Sequence, residues 1–452
     1  MTRIVIEGAY IATVDAISSE HPRGHVVIDG TRIVAVGAGD APEELLRGAN
    51  RIDASGHLLT PGLVNTHHHL YQWLTRGIAQ DSILFDWLVA LYPSWSRIDA
   101  DLVRDGAAAA MAVLARSGCT TVADHHYVFP RGSGDILGGI AEAAAELGVR
   151  LHATRGSMDL GESLGGLPPD FAVETTDAAL QASADAVARY HNPAFDSMLR
   201  VAIAPCSPFS VTGDLLRESA VLARQLGVRL HTHGSETAEE EAFCLERFGA
   251  TPTDYLENLG WLGDDVWMAH CVHLDDAAIG KFASSGTGVA HCPSSNARLA
   301  AGIAPVPQLL RAGVSVGLGV DGAASNESGQ LGTELRNSLL MNRLRAGADQ
   351  LSGRQALSMA TMGGARVLGR EMEIGSIEPG KLADLALWRI DGVEHAGIAD
   401  PVAALTLAAL PPLTRLFVNG EVVVSEGRLD RVDERRIADN AAAAARELAS
   451  RS

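Results

Sequence analysis

The sequence predicts a distorted (β/α)₈ barrel joined to a small β-sandwich that both chain ends build. Three observations predict it. Eight apolar segments of strand length recur between residues 60 and 370, and Ala- and Leu-rich stretches of helical period separate most of them. Strand-like blocks flank that middle on both sides. Histidines and an aspartate gather where the predicted strands end, the edge at which such barrels carry their chemistry.

Taken in order, residues 1–59 read as short strands broken by Gly and Asp turns: RIVIEG, HVVIDGTRIVAVG and RIDASGHLLTPG. The barrel, 60–370, places its strands at LLTPGLVNTH, CTTVADHH, VRLHATRG, RVAIAPCS, VRLHTHG, VWMAHC, GVAHCP and VSVGLGVD. Stretches such as ADLVRDGAAAAMAVLARSG and DLLRESAVLARQLG supply the crossover helices. Eight such units favour the closed barrel over an open doubly wound sheet. The segment from Gln72 to Asp99 is long for a strand-to-helix connection. Its Phe85, Trp87, Leu88, Leu91, Tyr92 and Trp95 mark it as a lid helix over the barrel mouth. Residues 371–434 return to strands and complete the sandwich with 1–59, and 435–452 form a surface helix.

Composition narrows the partners. The 452 residues carry 55 Asp and Glu against 36 Lys and Arg, a net charge of −19. A field of that sign repels phosphate backbones and anionic headgroups, so neither nucleic acid nor a membrane surface is expected as a partner. No apolar run approaches the roughly 20 residues of a membrane helix, and the N-terminus lacks the apolar core of a signal peptide. Cys119, Cys206, Cys244, Cys271 and Cys292 form no CxxC pair. They read as reduced thiols in a cytoplasmic protein.

The chemistry sits at strand ends. His67 and His69 follow strand one, His231 and His233 strand five, His270 strand six, and Asp321 strand eight. Alternate residues of a strand share a face, so His67 and His69 aim inward together and His68 packs in the wall. Imidazole nitrogens with a carboxylate suit Zn²⁺, and Fe²⁺ is also compatible. His233 is followed closely by Glu236, which a loop can fold back toward a coordinated water whose pKa the ion lowers to about 7. His233 is therefore assigned as ligand, Glu236 as general acid/base, and His231 as a supporting group. With only Lys281 and Lys381 in the chain, and Cys206 at the strand-four end, no lysine is available to bridge two metals, so one ion is expected. The GxSxG pattern at Gly161–Gly165 lacks a following helix. The GxGxxG pattern at Gly317–Gly322 comes too late for a dinucleotide fold. The HxE and PCxxC zinc signature of cytidine deaminases is missing.

At PGLVNTHHHLYQ, HTHGSE, AHCVHL, HCPSSN and GLGVDG the chain resembles the amidohydrolase superfamily, specifically its deaminase branch. EPGKLADLAL and LFVNGEVVVSEG look like that superfamily's terminal β-sandwich. Within the branch, HHHLYQWLTRG, LFDWLVALYPSW and TTVADHHYVFP look most like the 8-oxoguanine deaminases, a group related to hydroxyatrazine ethylaminohydrolase. The resemblance implies that His67, His69, His233 and Asp321 hold one Zn²⁺ and that Glu236 shuttles a proton from water to a ring nitrogen. His270 would orient the attacking oxygen, and Asp321 would pass a proton to departing ammonia. Gln72 matches a glutamine that contacts the purine edge. Guanine deaminases carry an arginine near the strand-four end, where this chain has Cys206. The implied reaction is 8-oxoguanine plus water giving uric acid and ammonia; an s-triazine, isocytosine, pterin or guanine is the alternative ring, and a catalytically silent barrel the alternative class. His125, Cys206 and Trp73 are expected to line the substrate pocket, while His126 and His273 support the site. The resemblance also implies a homo-oligomer.

Overall fold

All eight barrel strands form in the computed structural model, which describes residues 3–451. They are β1 Leu63–Asn65, β2 Cys119–Asp124, β3 Arg150–Ser157, β4 Leu199–Pro205, β5 Leu230–Gly234, β6 Val266–His270, β7 Gly288–His291 and β8 Val316–Leu318. Every neighbouring pair is parallel, and the ring closes where Leu318 pairs with Asn65 and Leu230 with Ile203. Asn65 seals the β8–β1 seam further, its Oδ1 accepting the Val320 N–H at 3.0 Å. Crossover helices start on side-chain caps such as Asp99, Thr212, Thr237 and Asp275, and several end on a left-handed glycine, as at Gly148, Gly227 and Gly286. Such capping is why the polar–apolar period in the sequence converts into helices of definite length.

Small residues, Ala123, Ala202, Ala269 and Ala290, fill the barrel interior beside Trp267. That choice leaves volume for the imidazoles above; the His231 ring stacks on Trp267 at 4.4 Å. The helix Leu84–Trp95 lies over the mouth with Trp87, Leu88, Leu91, Tyr92 and Trp95 buried, as the spacing of its aromatics predicts.

The terminal strands form one continuous nine-stranded sheet. Strands Ile4–Ala12, Glu20–Asp29, Arg32–Ala38, Asn50–Asp53 and His57–Pro61 come from the N-terminal side, and Leu385–Arg389, Leu413–Val418, Glu421–Ser425 and Arg428–Leu429 from the C-terminal side. Strand Arg32–Ala38 also bonds the chain ahead of Leu385: the Ile33 N–H donates to Lys381 O at 2.9 Å and the Gly380 N–H to Ile33 O at 2.8 Å. The sheet thus curls around its own core of Ile6, Ile11, Ile28, Leu385, Leu387 and Phe417, and the expected sandwich takes this wrapped form. Helix Glu434–Ser450 packs its Ala441, Ala444 and Leu448 inward, against helix Ala100–Arg116. No helix among the described residues is long and apolar enough to cross a membrane.

Candidate metal centre and active site

His67 and His69 leave β1 in extended chain, so both rings enter the barrel mouth. His231 and His233 alternate along β5, His270 ends β6, and Asp321 lies three residues past β8; all six are buried. His270 and Asp321 adopt left-handed φ values of 73° and 64°, and Ser235, beside Glu236, one of 50°. Such backbone costs on the order of 1–3 kcal/mol per residue and persists only where surroundings hold it. Here the Asp321 N–H donates to His67 O at 3.1 Å, and Val272 and His273 both donate to Ser235 O.

Hydrogen bonds at the backs of the rings settle which nitrogens face inward. His69 Nδ1 donates to His125 O at 2.6 Å and His233 Nδ1 to Cys206 O at 2.7 Å. His231 Nδ1 donates to Trp267 O at 2.9 Å, leaving its Nε2 to accept from His67 Nδ1 at 2.8 Å. The Nε2 lone pairs of His67, His69 and His233 therefore point into the mouth. His69 Nε2 lies 3.2 Å from His233 Nε2, and Asp321 Oδ1 lies 3.3 Å from Nε2 of both His67 and His69. Burial pushes the His67 and His233 imidazoles well below their ordinary value and lowers His69 as well. Burial alone would raise Asp321, but His67, His270 and His69 hold it well below the usual carboxylate range. Three neutral imidazoles and a carboxylate facing one another need a cation between them. A tetrahedral ion with bonds of about 2.0–2.1 Å sets its ligands about 3.3 Å apart, so these donors fit a metal without rearrangement.

Beside this cluster, Glu236 Oε1 lies 3.6 Å from His270 Nδ1. Burial, with Asp321 nearby, raises the Glu236 carboxyl well above the usual range. Both Glu240 oxygens clamp the turn beneath it, accepting the N–H of Ser235 at 3.2 Å and of Glu236 at 2.6 Å. Asn296 Oδ1 accepts from His270 Nδ1 at 2.9 Å, which sets His270 Nε2 3.9 Å from Asp321 Oδ2. Ser295 and Ser325 donate to that same Oδ2 at 2.5 and 3.0 Å. The two Asp321 oxygens are thus differentiated: Oδ1 faces the imidazoles and Oδ2 the hydroxyls and His270. Sequence reasoning missed Glu240, Ser295, Asn296 and Ser325; HCPSSN was the one visible signal, and its partners lie 26 residues or more away in the chain.

A cavity of about 20 Å³, room for one water, lies between this cluster and the lid helix. Gln72, Cys206, Glu236, His270 and Asp321 line it together with Tyr92, Tyr127 and Phe209. The Gln72 side chain is buried, and neither end of its amide makes a hydrogen bond of good geometry among the described residues. Burial pushes the Cys206 thiol up to about 12, so it stays neutral. The GxGxxG pattern finds its explanation here: side chains at Gly317, Gly319 and Gly322 would collide with Thr66, His67 and the Gln72 amide.

Two expected pocket residues lie elsewhere. Trp73 follows Gln72 in the 3₁₀ helix Leu70–Thr75, where neighbours point about 120° apart. With Gln72 turned inward, Trp73 lines a separate groove beside Val113, Ile437 and Ala441, and Arg76 covers its ring at 3.7 Å. His125 lies behind the cluster, stacked on His233 at 4.7 Å, because its Nε2 donates to Ala204 O at 2.9 Å. One His125 ring nitrogen falls within 4.8 Å of ligand atoms on His67, His69 and His233, so His125 borders the metal cluster and not the cavity. His68 and His126 are buried in packing, and His273 is exposed with its Nε2 on Ala301 O.

The model of the amidohydrolase family matches residues 58–423. The chain belongs to the amidohydrolase family. An 8-oxoguanine deaminase from Pseudomonas aeruginosa is 46% identical over 91% of each chain. Hydroxydechloroatrazine ethylaminohydrolase from Pseudomonas sp. strain ADP is 37% identical over 87% of this chain and 83% of its own. Among solved structures, atrazine chlorohydrolase from Arthrobacter aurescens TC1, crystallised with zinc, superposes with a TM-score of 0.93 at 35% identity, covering 98% of this chain and all of that one. As an amidohydrolase-family member with these relatives, the chain is a metal-dependent aminohydrolase.

Proposed function

We propose that the protein is a single-zinc deaminase that converts 8-oxoguanine and water to uric acid and ammonia. His67, His69, His233 and Asp321 would hold the ion. Their donor chemistry, three neutral imidazoles and one carboxylate, suits Zn²⁺, and the atrazine chlorohydrolase neighbour was crystallised with zinc. The observation that carries the deaminase reading is Glu236, a buried carboxyl of raised proton affinity on the cavity wall, 3.6 Å from His270. The similarity to an 8-oxoguanine deaminase over nine-tenths of both chains supports this choice of ring.

When bound, the ion supplies Lewis acidity, which lowers the pKa of water and stabilises developing negative charge. The remaining steps fall to the protein. Glu236 takes one proton from the attacking water and delivers it to the ring nitrogen beside the amine-bearing carbon, which lowers the cost of breaking aromaticity. His270, held through Nδ1 by Asn296, accepts from the attacking oxygen at Nε2 and orients it. Asp321 Oδ2 relays the second proton to the amine, which leaves as ammonia. Gln72 binds the purine edge, and the lid helix excludes bulk water.

Ammonia release from 8-oxoguanine, guanine and an amino-triazine by zinc-loaded protein tests this reading. Turnover of 8-oxoguanine well above the other two is expected. Silence on 8-oxoguanine with zinc bound overturns the substrate, and purified protein that takes up no stoichiometric metal overturns the centre itself.

A further inference from the structure

The lid helix Leu84–Trp95 brings one polar group to the cavity among the apolar Leu84, Trp87 and Leu88: the phenol of Tyr92. Tyr92 is 1% exposed, and its hydroxyl has no hydrogen-bond partner among the described residues. Leaving a buried hydroxyl unpaired is costly, so each such group calls for an explanation. Tyr92 does not stand alone. The Gln72 amide, carried by a different element, is also buried, also without a partner among the described residues, and lines the same cavity. Two unsatisfied polar side chains converging from independent elements on one cavity mark a place where a ligand completes the hydrogen bonding. Burial raises the Tyr92 phenol well above its ordinary value, with Cys206 and Tyr71 adding to the effect, so the group remains a donor.

We infer that Tyr92 is a substrate-binding residue that donates to an oxo group of the ring, and that the lid carries it so that recognition and closure are one event. This rests on the deaminase reading above and narrows its substrate class to rings with an oxo acceptor on the edge facing the lid. With room for about one water, the cavity admits a purine only when the helix shifts, and Tyr92 moves with it.

The test is Tyr92→Phe, which keeps the ring in the lid and removes the hydroxyl. KM for 8-oxoguanine and the dissociation constant of uric acid, which keeps the oxo groups and has no amine to lose, should both rise at least about tenfold. kcat should change much less. The variant's Tm without ligand should equal or exceed that of the parent, because an unpaired buried hydroxyl has gone; a hydroxyl serving only the fold would lower it. Unchanged uric acid binding in a folded variant overturns the inference while leaving the deaminase reading intact. Parent protein that binds uric acid through Tyr92 yet releases no ammonia from 8-oxoguanine supports the inference and overturns the substrate. Parent protein that binds neither ring overturns both.

Discussion

At the mouth of the barrel, His69 Nε2 lies 3.2 Å from His233 Nε2, and Asp321 Oδ1 lies 3.3 Å from Nε2 of both His67 and His69. At its base, where β3 and β4 begin, carboxylates meet guanidiniums. Arg150 grips Asp384 with two bonds of 3.0 and 3.1 Å, and Glu373 receives Arg370 at 2.6 Å and Arg200 at 2.5 Å. Both clusters are buried and both join distant parts of the chain. The base cluster gives each of its carboxylates a guanidinium partner and ties the barrel to the curled sheet, in which Asp384 also accepts the Asn419 N–H. The mouth cluster keeps lone pairs unspent, which only a ligand can satisfy. Buried charge is thus used for fixing geometry at one end and for holding a reactive arrangement open at the other.

The comparison breaks most visibly at the mouth. Asp321→Ala should abolish stoichiometric metal uptake and turnover together, since it removes a donor lying 3.3 Å from two others; metal content by elemental analysis with full occupancy and unchanged turnover would refute the ligand assignment. Glu236→Gln should keep the metal and lower kcat by about 10²–10⁴, the usual worth of a positioned acid/base. A parent-like rate in that variant would sink the proton-shuttle role. At the base, Asp384→Ala leaves Arg150, which is fully buried, without its partner. Uncompensated charge of that kind costs about 3–5 kcal/mol, and urea unfolding reads it directly. Turnover per folded, metal-loaded molecule should stay within twofold. A large loss of turnover there would mean that the base also shapes the mouth.

Much of the mouth was legible in the sequence because its ligands sit at strand ends. His67 and His69, and His231 and His233, announce their common face through two-residue spacing, and Asp321 follows a glycine-rich apolar run. The aromatics of Leu84–Trp95 likewise disclosed a buried lid. What was not legible depends on contacts between distant loops. Nothing local in Pro293–Arg298 says that Ser295 reaches Asp321 or that Asn296 reaches His270. A six-residue 3₁₀ turn has too few residues for a period, so Gln72 and Trp73 could not be sorted inward and outward. His125 misled because its orientation is set by a carbonyl on another strand, Ala204. The curl of the terminal sheet is also non-local, since Ile33 bonds residues almost 350 positions away.

A smaller effect sharpens the contrast between carboxylates met by cations and those met by neutral donors. Glu334, on the helix Leu331–Ala346, is fully buried between the loops that follow β7 and β8. It accepts the Ser294 N–H and an Asn326 Nδ2–H, both at 3.1 Å. Burial raises its carboxyl from an ordinary 4.5 to about 7, with the Ser294 and Asn326 donors pulling the other way. A carboxyl raised on folding binds more protons in the native than in the unfolded chain across that window. Its contribution is therefore complete below the unfolded value and is lost as pH rises through about 7. Glu334→Gln abolishes the titration while keeping one acceptor oxygen. The variant's Tm should fall less than the parent's between pH 5 and pH 8, by a few degrees at most. Parallel Tm curves for the two proteins would show that the neutral donors suffice to hold Glu334 ionised. In that case the mouth and the base would differ in how they use charge only at the metal cluster itself.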